Sequence, residues 1–373
     1  MFQLFSVTEM RILLINSYSM ENAYQLWSEG KSGSHHVWGK IELERISDFK
    51  MIIFPHEKYK WLNRIGGKVG ITHLDQQIRI LFSPGSYDVL YAPYNTKNTK
   101  LLLFLKFLKI YRKPVVVTIH QPFIGTNSSS YLVRKITKKL LMTYDASIYL
   151  SEALLAQAIE KLKIDTDAIA NKLYTAQWGP DLNFYANSKF SAGATESYLI
   201  SAGHTARDYE TLIEAFRRLD YKLKIFCTPR SMPKIAELPA NVSIHSEFIP
   251  YIELMEHYIN AEAILIPLKY DRIQEGCQGM TSIQDVVALG KPTIITKNIT
   301  LNLDAEKEGF GIFVEMGDVD GWVNAVKTLM NDKTKMKQMS ENALSVYRKK
   351  FNADIFANQL KTVFTQFWKE RDK

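Results

Sequence analysis

Arg207 stands just ahead of DYETLIEAF, in which Leu212, Ile213, Ala215 and Phe216 recur at helical spacing. A cation at a helix start is opposed by the helix dipole unless an anion sits beside it, and a guanidinium offers a planar fork that suits phosphate oxygens. Gly279, Met280, Thr281 and Ser282 precede a second amphipathic stretch, and a glycine with small hydroxyl residues there leaves backbone N–H groups free for a phosphate. Both arrangements are suited to holding a phosphorylated ligand. His120 closes the apolar run PVVVTIH, at the carboxyl end of a buried strand, where open parallel sheets receive their ligands. His35 and His36 are adjacent, and adjacent residues on a helix point about 100° apart, which does not suit a shared metal ion. Cys227 and Cys277 lack metal-ligand spacing, so no metal site is expected.

The elements that would carry these residues alternate between short buried strands and amphipathic helices, the pattern of doubly wound parallel α/β sheets. RILLIN (11–16), MIIFP (51–55), DVLYAP (88–93), PVVVTIH (114–120) and ASIYLS (146–151) form a first strand series. Residues 99–113, 130–144 and 152–163 supply its later helices. SYLISAG (197–203), KLKIFC (222–227), VSIH (242–245), AILIPL (263–268), PTIIT (292–296) and GIFVE (311–315) form a second series. Between the two, the polar, small-residue stretch DLNFYANSKFSAGATE is expected to be a linker, with the boundary near residue 190. The closing stretch ADIFANQLKTVFTQFWKERDK has helical spacing and no strand after it.

With 373 residues the chain exceeds one ordinary core, so two domains are expected, each globular by composition at 46% apolar and 23% charged residues. Two cysteines make no disulfide framework, the start MFQLFSVTEM lacks the layout of a secretory signal, and no apolar run reaches membrane-spanning length. A cytoplasmic location is the expectation. The net charge of +8 attracts something anionic, yet no zinc-finger, RNP-type or helix-turn-helix pattern accompanies it, which argues against nucleic acid.

ISAGHTARDYETLIEAFRRL resembles the second-domain opening of retaining glycosyltransferases of family 4, which commonly reads G-R-x-x-x-x-K-G before a helix of the type x-x-L-I-E-A-F. QEGCQGMTSIQDVVALGKPTIIT is similar to that family's G-x-x-S-x-x-E-A-M-A-x-G-K-P-V-I block. PVVVTIHQPF matches its strand-terminal histidine, SGSHHVWGKIELE its histidine-pair segment, and QWGPDLNFY its hinge sequence, with Gly179 and Asp181 in register and Trp178 replacing asparagine. The sequence departs from the pattern in two further places. Gln121 follows His120 where the family has aspartate, and N-S-Y-S replaces the glycine pair after the first strand.

The resemblance implies a GT-B fold, two Rossmann-like doubly wound domains facing a central cleft. Residues 1–190 would form the acceptor domain, 191–352 the nucleotide-sugar domain, and 353–373 a helix crossing back to the first. By the same resemblance Arg207 takes the place of the lysine that contacts donor diphosphate, next to the turn at Gly203 and His204, while Gly279, Met280, Thr281 and Ser282 cradle the phosphates. Asp285 replaces the glutamate that binds the ribose hydroxyls, and Glu275, with Gln278 as substitute, lies near the donor sugar. His120 reaches the sugar hydroxyls, and His35, His36 and Trp38 fall on the acceptor side. The implied activity is retaining, metal-independent transfer of a hexose-type sugar from a nucleotide-diphosphate donor to a glycan or lipid-linked hydroxyl, as in polysaccharide or glycolipid assembly, without a cofactor. In that class the donor's own phosphate is thought to act as the base.

Two other readings share these residues: a nucleotide-sugar epimerase or hydrolase on the same fold, and a noncatalytic module binding anionic glycans or nucleic acid. The segments 97–113 and 130–144 mix leucines and phenylalanines with lysines, a composition that suits either helices packed on a sheet or peripheral contact with the anionic inner face of a membrane.

Overall fold

The computed structural model describes residues 9–83, 85–165, 171–188, 190, 191, 193, 196–270 and 276–371. The chain divides into two compact units. The first holds the chain up to Glu29, Ser34–Trp178 and the segment from Ala353 on; the second holds Gly30–Gly33 and Gly179–Asn352.

The first unit runs β1 (Met10–Leu14), α1 (Met20–Ser28), a short 3-10 helix (Ser34–Val37), α2 (Lys40–Ile46), β2 (Phe49–Ile53), α3 (Lys60–Lys68), α4 (Leu74–Leu81), β3 (Val89–Ala92) and α5 (Asn95–Phe107). It continues with β4 (Val115–Ile119), α6 (Tyr131–Leu141), β5 (Ala146–Tyr149), α7 (Glu152–Leu162) and β6 (Leu173–Thr175). Its sheet is parallel in the order β2-β1-β3-β4-β5-β6. Every residue of β3, β4 and β5 is buried, which is why those runs are apolar but for the small hydroxyl residues Thr118 and Ser147 instead of alternating.

The second unit begins not at residue 190 but at Gly179, where an added Cβ would lie 2.3 Å from the Asn352 nitrogen. Six of the sixteen residues of the expected linker form α8 (Leu182–Asn187): the Asp181 side chain caps it, and Phe184 and Tyr185 are buried. Then follow β7 (Leu199–Ala202), α9 (Tyr209–Phe216), β8 (Leu223–Phe226), β9 (Val242–His245), α10 (Tyr251–Asn260), β10 (Ile264–Ile266) and α11 (Met280–Leu289). β11 (Thr293–Thr296), β12 (Gly311–Val314), α12 (Val319–Met330) and α13 (Lys333–Lys349) complete it. The parallel order β12-β11-β10-β7-β8-β9 reverses direction between β7 and β10. Strand alternation splits the core in two. Ile200, Ile264 and Ile295 face one helical layer with Val286, while Leu199, Leu265 and Ile294 face the other with Trp322.

Helix α11 ends on Gly290 at φ +61°, and a Cβ there would meet Leu344 of α13 at 2.6 Å. Gly290→Ala is therefore expected to cost about 1–3 kcal/mol, from the left-handed backbone and the displaced leucine. A urea titration that moves by less than about 0.5 kcal/mol would show that the α11–α13 contact relaxes freely.

The chain returns to the first unit as α14 (Ala353–Arg371), whose Phe356, Leu360, Val363 and Phe364 are buried. It packs on α2: a Cβ at Gly39 would lie 2.7 Å from Leu360, and Phe364 stands edge-on to Phe49 and Tyr91. Among the described residues no helix is long and apolar enough to cross a membrane.

Candidate functional site

In the second unit, the loops leaving β7 and β10 meet where the strand order reverses, the place at which an open α/β sheet leaves a crevice for a ligand. Arg207 and Leu268 form an isolated antiparallel bridge across it, flanked by Asp208 N–H to Pro267 O at 3.1 Å and Lys269 N–H to Ala206 O at 2.9 Å. Ala206 adopts φ +51°, a conformation unfavourable to a residue with a Cβ and held here by the bridge on both sides.

The Arg207 guanidinium lies folded over the Gly203 backbone, so close that a Cβ at Gly203 would sit 2.4 Å from Nη2. Its Nε donates to Ala202 O at 3.3 Å, Nη1 to Thr205 O at 3.0 Å, and Nη2 to Ser282 Oγ at 2.8 Å. The Gly203 carbonyl in turn accepts from the Tyr209 hydroxyl at 2.7 Å. His204 and Thr205 are exposed beside it. The structure thus joins the two motifs singled out in the sequence, placing a half-buried cation at the first turn of α11.

That turn starts on Gly279 at φ +87°, with no side chain capping it and no acidic residue in it. The Met280 side chain is buried and Thr281 is exposed; Met280 N–H bonds back to Cys277 O at 3.2 Å. A positive guanidinium at a helix N-terminus without a carboxylate is a pairing of like partial charges, which an anion would relieve. Gln278 is turned inward, its Oε1 accepting from Gly276 N–H at 2.9 Å. The loop is pinned from β11's carboxyl end: Asn298 Nδ2 donates to Gly276 O at 3.1 Å and Gln278 O at 3.2 Å, and Thr300 Oγ1 donates to Gly276 O. Asn298 and Thr300 were not singled out in the sequence, although TKNIT follows a strand directly and the strand-end rule reaches it. Glu275 lies outside the described residues.

Asp285 is buried on the inner face of α11, where its Oδ1 accepts from Tyr185 Oη at 2.8 Å and Tyr251 Oη at 2.5 Å. Burial pushes its carboxyl up to about 7, against the lowering effect of the two hydroxyls. Neither tyrosine was foreseen, since one lies on α8 in the expected linker.

In the first unit, His120 follows β4 directly, as expected, with Tyr94 edge-on at 4.6 Å. Its Nδ1 is buried and takes no hydrogen bond among the described residues. Burial, then the charge of Lys97, hold its ring down to about 4, so it is neutral at pH 7. The short 3-10 helix presents the histidine pair, but expectation narrows here. His35 is fully buried and its carbonyl accepts from Trp178 Nε1 at 2.9 Å, while Trp38 is stacked on Trp178 at 4.3 Å and 3°. Both side chains are therefore packed inside the first unit. Only His36 keeps partial exposure, its ring held down to about 4 by burial. Among the described residues no group of three or more histidine, cysteine or carboxylate side chains could hold a metal ion.

Residues 188–346 match the family described as Glycosyl transferases group 1. No curated protein matches the chain. Solved structures resemble it over nearly its whole length. HepE of Anabaena in complex with UDP-glucose is 14% identical, with TM-score 0.62 over 96% of this chain and 100% of that one. Sucrose-phosphate synthase of Thermosynechococcus elongatus is 13% identical, with TM-score 0.66 over 97% and 100%. A UDP-N-acetylglucosamine 2-epimerase is 12% identical, with TM-score 0.57 over 96% and 97%.

Proposed function

We propose that this chain, which has the GT-B fold and a second domain of the group 1 glycosyl transferase type, moves a hexose-type sugar from a nucleoside-diphosphate donor to a glycan or lipid-linked hydroxyl, with retention at the anomeric carbon. The observation that carries this reading is the Arg207–Ser282 bond, which sets a cation against an uncapped helix N-terminus at the reversal of strand order. Arg207 and the backbone of 279–282 would take the diphosphate and stabilise it as charge builds on the leaving group. Asp285 would accept a ribose hydroxyl on Oδ2, since both tyrosines bond to Oδ1. His120, neutral and with a free Nδ1, would accept from or donate to a sugar hydroxyl, and His36 would serve the acceptor. HepE's UDP-glucose complex supports a uridine donor as the first to try.

The test is thermal unfolding against UDP, GDP, ADP and their sugars. One nucleotide family is expected to stabilise the second domain, by about 2.7 kcal/mol at a hundredfold excess over Kd. No shift with any of them would sink the donor site. An epimerase of this fold would convert the sugar nucleotide without acceptor, whereas transfer requires one, so product analysis with donor alone separates the two.

A further inference from the structure

Helix α6 is turned the wrong way round for a helix that covers a sheet. Tyr131, Leu132 and Ile136 are 66%, 64% and 51% exposed, and Val133 is 41% exposed. The residues facing inward include polar ones. Thr137 is buried, with its Oγ1 donating to Ile124 O at 3.1 Å; Arg134 Nη1 donates to Ser128 O at 2.6 Å and Ser129 O at 3.0 Å; and Lys138 Nζ donates to Lys163 O. The loop ahead of the helix adds to the outward apolar face. Gly125, at φ +83° and too close to Thr137 for any Cβ, folds against α6 and leaves Ile124 61% exposed beside it.

Charge follows the same face. From Gln121 to Tyr144 the chain has no carboxylate, while Lys135 and Lys139 are exposed between the apolar residues and make no ion pair among the described residues. Helix α5 offers no such surface at this level. Its Leu102 and Leu103 are buried against the sheet, and its exposed Phe104, Phe107 and Leu108 lie at the end that feeds β4. Helix α6 starts at the opposite end, just after His120, because it leaves the carboxyl end of β4. An apolar face rimmed by cations, with no acid to repel headgroups, matches the interface of an anionic bilayer, whose hydrocarbon boundary takes the apolar side chains while its phosphates take the lysines.

We propose that α6 and the Ile124 loop dock the first unit on an anionic membrane surface, with the His120 end of the sheet towards the lipid. The inference does not rest on the glycosyl-transfer reading, because docking is read without substrate.

The full chain is expected to co-sediment with phosphatidylcholine vesicles containing phosphatidylglycerol, and far less with phosphatidylcholine alone. L132S/I136S should lower the partition coefficient by about tenfold or more, with the thermal midpoint unchanged because both side chains are exposed. K135Q/K139Q should lower it by about twenty-five-fold at low salt, at about fivefold per lysine, and flatten its salt dependence. Wild-type binding retained in L132S/I136S, or binding indifferent to lipid charge, would overturn the proposal. So would a concentration-dependent dimer in light scattering that L132S/I136S abolishes, since the face would then belong to a second copy.

Discussion

Arg207→Ala is expected to lower kcat/KM by about a hundredfold or more and to weaken nucleoside-diphosphate binding by about 10- to 100-fold, while binding of the bare nucleoside is unchanged. The binding loss is that of a charge-assisted bond, about 1.5–3 kcal/mol, and the larger loss in turnover follows because negative charge on the diphosphate grows as the sugar leaves. The fold should survive, since the three bonds made by the guanidinium go only to the last residue of β7, to the loop after it and to the first turn of α11, at the carboxyl edge of the sheet. Arg207→Lys should recover part of the binding but not the bond geometry, because an ammonium cannot bridge Ala202 O, Thr205 O and Ser282 at once. Equal titrations of nucleoside and nucleoside diphosphate in wild type and variant would mean that the cation only staples the β7 and β10 loops together.

The second large effect is a pH dependence. Asp285 has its pKa raised by burial from the ordinary 3.8 to about 7, so between these values the folded state binds a proton that the unfolded state has released. Its contribution to stability is therefore present at low pH and is lost as pH rises through 7, by about 4 kcal/mol in all. Asp285→Asn mimics the protonated group and can still accept from Tyr185 or Tyr251. The difference in unfolding free energy between Asp285→Asn and wild type should thus grow by that amount from pH 4 to pH 8, in urea titrations of the second unit's transition. A flat difference would mean that the carboxyl ionises as if in water. The first unit moves oppositely: burial holds His36 and His120 down to about 4 and His35 well below the usual imidazole range, so what these three contribute to its stability is full above 6.5 and falls as pH drops towards 4. Acid should open the first unit before the second.

Strand positions were legible because a parallel strand buried on both faces reads as a near-continuous apolar run, as in Val115–Ile119 with Thr118 as its one polar residue, and because a histidine or glycine at its end marks the ligand edge. The pairing of Arg207 with Ser282 was legible only as two separate motifs; the bond between them spans 75 residues and depends on strand order, which local pattern does not encode. Helix α8 was missed because its six residues follow a proline-containing turn and lead into small polar ones, while its burial comes from Phe184 and Tyr185 finding partners far along the chain. The burial of Trp38 and His35 was not foreseen for the same reason. Their covering group, Trp178, lies 143 residues from His35 and carries no local sign of where it goes. The sixth strand, Leu173–Thr175, is three residues long and half-buried, too short to show a period.

The interrupted first unit also sets an order of assembly during synthesis. All of the second unit is made before α14 emerges, whereas the surface of α2 that receives Phe356 and Leu360 has been waiting since residue 46. On a ribosome, then, the second unit can close while the first still shows an uncovered apolar strip for the time taken to translate some three hundred residues, about 15–60 s at about 5–20 residues per second. That interval is when a chaperone would find this protein.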